Sequence, residues 1–198
     1  FQMLINDYHF PVDKASIYYL FDRDPASNTD VEAIRQYIDV LKDPMDNDDG
    51  MKAGLLLLSY PCIESYMVSS FQKNAYEVEI GIGDHVKTYV GQHKTIQMNK
   101  ISEETLLFAT EEFLTYLKNL ALDWDIDDFS ETSRTIFERQ EVNYSSRGVF
   151  NLFSMLTLSF HFTLGVKQDA AVGGGAGIQR HDVLLHKNTT FPVFLFIL

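Results

Sequence analysis

Residues 54–61, GLLLLSYP, form an unbroken apolar run with no polar alternation. A strand with one face in water alternates, so such a run predicts a strand covered on both faces, the central position of a parallel sheet. A second run, ASIYYLF from Ala15, is rich in β-branched and aromatic residues and is stopped by Asp22 to Pro25. Between the two, Asn28 or Thr29 is placed to cap a helix. Its apolar positions, Val31, Ile34, Tyr37, Ile38 and Leu41, share one face before Pro44. After Pro61, IESYMVSSF begins another helix. Strand, helix, strand, helix in this order predicts an α/β domain with a right-handed crossover.

Residues 43–50, DPMDNDDG, are acidic and turn-rich and read as a surface loop. From about residue 100 the pattern becomes helical. Ser102 caps SEETLLFATEEFLTYLKNLAL, SRTIFERQEV continues in a further helix, and residues 149–166, VFNLFSMLTLSFHFTLGV, read as a long buried helix. Asn151, His161 and several hydroxyls argue against that segment spanning a membrane, because each would be costly in hydrocarbon. The expected division is an α/β domain over 1–100 and a mostly helical extension over 101–198. A chain that opens on Phe1 and enters a strand soon afterwards is expected to be part of a longer one.

A formal net charge of -12 argues against broad adhesion to nucleic acid or to an anionic membrane, while leaving room for a local basic groove. The single cysteine, Cys62, excludes an internal disulfide framework, and no stretch resembles a secretory leader. Both point to the cytoplasm.

Asp22 and Asp24 fall where the first strand emerges into a turn, and ligands of parallel sheets bind at the carboxyl ends of strands. Two carboxylates two positions apart point the same way if the strand persists, and they repel unless a cation or a proton compensates. Magnesium or manganese, which take hard oxygen ligands, suit such a pair. The competing reading is an acidic turn in which one aspartate caps the following helix. Glu64 lies three residues beyond Pro61. If the two strands are neighbours, all three acids can meet one ion; alone, Glu64 is an ordinary helix-start acid. Lys87, Lys94 and Lys100, with His85 and His93 among them, form the locally basic stretch, suited to phosphate contact or simply to a solvated face.

YYLFDRDPAS, followed by a helix and then LLLLSYPCIESYMVSSF, resembles the Toprim-like proteins of bacterial anti-phage systems, especially the RloB-like and overcoming-lysogenization-defect groups. There a strand ending in D-x-D precedes a strand leading into a Pro-x-x-Glu helix. The resemblance covers roughly residues 15–100, and HVKTYVGQHK fits the lysine-bearing stretch of the RloB-like pattern. It implies a Toprim-like parallel sheet flanked by helices, with Asp22 and Asp24 as the D-x-D metal acids and Glu64 as the acid of Pro-x-x-Glu. It also implies metal-assisted phosphodiester cleavage of DNA or RNA with Mg2+ or Mn2+, and Lys87 or Lys94 on phosphate. The family's upstream glutamate has no counterpart in FQMLINDYHFPVDK. A degenerate site would leave a sensor or scaffold that binds a partner protein, such as a defence-system ATPase or a second copy of the chain. Residues 149–166 and the ending FPVFLFIL are candidate interfaces for it.

A haloacid-dehalogenase-type phosphatase would use Asp22 as nucleophile, Asp24 as acid, Ser59 as a phosphate-binding hydroxyl and DWDIDD as its late acidic motif. That family has Thr or Val after D-x-D, where Pro25 and Ala26 stand here. DWDIDDF lacks the glycine and final acid of a calcium loop, GGGAG lacks the ending of a phosphate loop, and His181 and His186 are too far apart for one helical face. Cys62 is expected to be a small buried side chain rather than a reactive thiol.

Overall fold

The computed structural model describes residues 6, 7, 9, 16–48, 51–93, 102–122, 129–157 and 193–197. In chain order the elements are β1 (Ser16–Asp22), α1 (Val31–Val40), β2 (Lys42–Asp48), β3 (Met51–Tyr60), α2 (Glu64–Ser69), β4 (Glu79–Ile80), α3 (Gly83–Gln92), α4 (Glu103–Asn119), α5 (Ser130–Arg147), β5 (Phe150–Asn151), β6 (Phe153–Ser154) and β7 (Val193–Ile197).

The two apolar runs become β1 and β3, paired in parallel with Tyr18 opposite Leu55 and Asp22 opposite Ser59. Leu55 to Leu58 are all buried, as are Ile17, Tyr18 and Leu20, so both faces of this pair are covered. The unbroken run had no solvent face to make polar. β7 pairs in parallel with the other edge of β1, giving the order β2-β3-β1-β7, while β6 pairs with β3. β2 lies antiparallel along the start of β3 and β6 along its end, at Ser59 and Tyr60.

α1 forms where its periodicity predicts, but Asp30 is the cap, accepting the Ala33 N–H at 2.9 Å. Asn28 is used otherwise: its side-chain amide donates to the Asp22 carbonyl at 2.7 Å. Ile34 and Ile38 are buried while Tyr37 stays half exposed, because the stripe meets the sheet over a narrower arc than five apolar positions cover. α4 starts at the predicted Ser102, whose hydroxyl accepts the Thr105 N–H as the Thr105 hydroxyl accepts the Ser102 N–H. Ion pairs join α5 to α1, through Arg35 with Glu138 at 2.6 Å and Arg134 with Asp39.

Three further expectations are corrected. The sheet is mixed rather than parallel, because β3 takes β1 as a parallel partner but β2 and β6 as antiparallel ones. The acidic loop is largely strand, since β2 hairpins onto β3 with Asp48 opposite Met51 and an irregularity between Asp43 and Asn47. Acids, a proline and a bulge are what an edge strand tolerates, and they mimic a loop in sequence. The long helix predicted over 149–166 is absent from its described part. Gly148, at φ 70°, ends α5 as a left-handed cap, and the chain then supplies β5 to β4 and β6 to β3. The polar Asn151 side chain inside this apolar run is satisfied by the Asn143 amide, which donates to its Oδ1, and by the Tyr76 carbonyl, which accepts from its Nδ2, while Gln140 pairs with its backbone. Residues 158–192 lie outside the described residues. Strand β6 therefore belongs to the same sheet as β1 and β3, and so does β7. Among the described residues no helix is long and apolar enough to cross a membrane.

Candidate metal and phosphate site

Because β1 and β3 are parallel neighbours in register, their carboxyl ends coincide. Asp22 sits at one end and Ile63, three residues beyond Tyr60, at the other. The Ile63 N–H donates to Asp22 Oδ1 at 2.8 Å. The ladder runs one step further, with the Arg23 N–H donating to the Ser59 carbonyl at 2.9 Å. Asp24 opens the turn: its Oδ1 accepts the Ala26 N–H at 3.1 Å, and its carbonyl accepts the Asn28 N–H at 2.8 Å. The competing acidic-turn reading holds for Asp24, whose carboxylate takes the Ala26 N–H, but neither aspartate caps α1, since Asp30 takes that cap.

Asp22, Asp24, Glu64 and Lys87 form one electrostatic group. Partial burial pushes the Asp22 carboxyl above its ordinary value against the pull of the Ile63 N–H. The charges of Glu64 and Asp24 raise it further, and Lys87 opposes them. Lys87 on α3 is exposed, lies 3.5 Å from Asp84 Oδ1, and is held above its ordinary value first by Glu64 and then by Asp84. Sequence spacing brought the first three acids forward; α3 adds Asp84, which sequence reading passed over.

Gly83 was also missed. It is the first residue of α3, and a Cβ there would lie 2.8 Å from Asp24 Oδ2 and 3.3 Å from the Cys62 Cβ. The helix start can approach Asp24 only because the side chain is absent, and a carboxylate is favoured there by the helix dipole. Cys62 is buried, and burial first, then Glu64, push its thiol far up. A thiol held protonated is a poor nucleophile. Native protein should leave Cys62 unlabelled by iodoacetamide at about pH 8 over hours, with labelling on unfolding, as mass spectrometry would read. Rapid native labelling would contradict this environment.

The donor set suits a hard divalent cation: carboxylate oxygens at the ends of two adjacent strands, one already partly desolvated. As placed, the side chains do not close into a coordination sphere, for among the described residues no group of three or more His, Cys, Asp or Glu is arranged to hold a metal ion. Asp22 Oδ1 and Asp24 Oδ1 are engaged by backbone N–H groups, so holding an ion would fall to their second oxygens and to Glu64. Lys94 lies outside the described residues, as do Lys100, residues 123–128 of DWDIDDF, GGGAG, His181 and His186. Ser59, the hydroxyl a phosphatase would need, is buried with its Oγ 2.7 Å from Ser154 Oγ.

A charged group raised by burial and like charges destabilises the fold when ionised. The folded state keeps the Asp22 proton to higher pH than the unfolded chain, so this contribution to stability falls as pH rises upward from the ordinary value of 3.8. Asp22→Asn keeps an acceptor for the Ile63 N–H and removes the charge. It should melt higher than wild type near pH 7, the gain vanishing below about pH 3.8, where both states are protonated. Equal melting temperatures at neutral pH would contradict the repulsion.

Comparison with family models, with curated proteins and with solved structures finds no match to this chain.

Proposed function

We propose that this chain is a metal-dependent nuclease of Toprim type, hydrolysing phosphodiester bonds in the cytoplasm as part of bacterial anti-phage defence. The observation that carries the reading is the position of Asp22. It sits at the meeting of two parallel strand ends, partly desolvated, under the charge of Asp24 and Glu64, with Lys87 the cation acting on it. Such a charge balance favours a divalent cation, Mg2+ or Mn2+, held by Asp22, Asp24 and Glu64. When bound, that ion supplies an activated water and stabilises charge on the leaving oxygen.

The chain's own residues do the rest. Asp22 would hold a cation as its carboxylate, and the Ile63 N–H fixes the direction of its carboxyl. Lys87, exposed at the same mouth, meets a phosphate of the nucleic acid backbone, and Lys94 is assigned the same role. Leaving Asp84 for that phosphate needs no large rearrangement, since the pair is exposed and weak.

The test is calorimetric titration of Mg2+ and Mn2+ into the full chain, followed by cleavage assays of single- and double-stranded DNA and RNA on the same samples. Binding with metal-dependent cleavage supports the nuclease. Binding without cleavage points to a different metal reaction or a required activator. No binding removes the catalytic reading and leaves a Toprim-like scaffold or sensor that regulates a partner protein.

A further inference from the structure

Between the two aspartates stands Arg23, and its side chain goes the other way. It is 2% exposed and runs under the turn to α5, where Nε lies 2.5 Å from Glu141 Oε1 and Nη2 lies 2.8 Å from Glu141 Oε2. Its Nη1 donates to the Asn28 carbonyl at 2.8 Å, and its guanidinium lies 5.6 Å from the centre of the Phe150 ring. Asn28 in turn donates to the Asp22 carbonyl at 2.7 Å. A continuous path of hydrogen bonds thus runs from Glu141 through Arg23 and Asn28 to Asp22. Alternation along a strand explains the layout: with Asp22 and Asp24 toward the mouth, the residue between them faces the opposite layer. A bidentate guanidinium–carboxylate pair has a fixed plane and tolerates little rotation, unlike a lysine pair.

We infer that Arg23 and Glu141 are positioning residues, a clamp by which α5 sets the angle of the Asp22–Asn28 turn and so the placement of both carboxylates against the end of β3. The inference rests on the assignment of Asp22 and Asp24 to the site, but its test requires no metal. The Ile63 amide reports the Asp22 position directly, and the Leu56 amide, buried in β3 and bonded at 2.9 Å to the carbonyl of Leu41 just before β2, reports general stability.

Hydrogen exchange of both amides is followed by NMR in wild type and Glu141→Gln, which keeps the side-chain shape and breaks the charged pairing. A clamp predicts that Ile63 exchange accelerates at least about tenfold more than Leu56 exchange. Acceleration of both by one factor means that the pair only stabilises the fold, and no change at either means that the turn holds itself; both outcomes overturn the clamp. If Glu141→Gln does not fold, Asn28→Ala cuts the same path at its half-buried end and is read by the same two amides. Failure of wild type to bind Mn2+ overturns the nuclease reading instead, and leaves the exchange result to decide the clamp.

Discussion

Asp22→Ala is expected to lower Mn2+-dependent cleavage by about a thousandfold, equivalent to roughly 4 kcal/mol of transition-state stabilisation, the scale of charge stabilisation that a positioned metal supplies. The loss should come from chemistry and metal binding rather than from unfolding. Removing the carboxyl forfeits one hydrogen bond from Ile63, about 1 kcal/mol, but also removes a charge that burial, Glu64 and Asp24 all disfavour. The two terms oppose, so the melting temperature should move by only a few degrees. Lys87→Ala makes a useful contrast. It removes an exposed cation, so cleavage should fall only about threefold to tenfold, and the slope of log affinity against log salt should flatten by about one unit. If Asp22→Ala retains more than about a tenth of wild-type cleavage, the strand-end carboxylates are not the catalytic metal site.

The parts of this arrangement that were legible in sequence are those set by neighbours along the chain. The run through Leu55 to Leu58 reads as a strand buried on both faces because burial on both sides removes any polar alternation, and β3 is such a strand. Parallel pairing of β1 and β3 places Asp22 under the charge of both Asp24 and Glu64, although among the described residues no three such groups close on one ion. What stayed hidden depends on distant partners. Residues 150–154 open the apolar run 149–166, whose length fits a helix, and only pairing with β3 and β4 makes them strands. β2 hides for the opposite reason, as its acids and Pro44 look like a loop until an edge position explains them. Gly83 shows nothing in sequence, because its role is the space it leaves beside Asp24.

Glu141 is the clearest case, 118 residues from its partner and unremarkable within a polar helix. Arg23→Met should therefore have a large effect that no local reading predicts. It leaves Glu141, 13% exposed, without its counter-ion, and breaking a buried pair typically costs about 3 kcal/mol or more, roughly 6–12 °C in melting temperature for a domain of this size. The partner's residual access to water places this variant at the lower end of the range. Adding Glu141→Leu removes the stranded charge, and the double variant should regain most of the lost stability, since apolar replacements of a whole buried pair are often neutral. The double-mutant cycle separates the pair's coupling from the cost of an orphaned carboxylate. It also separates stability from placement. An apolar contact has no preferred plane, so the double variant should melt near wild type while its Ile63 amide still exchanges fast and its metal-dependent cleavage stays low. Recovery of stability, protection and cleavage together would mean that any well-packed contact holds the turn, and that the bidentate geometry of Arg23 with Glu141 is not needed to place Asp22.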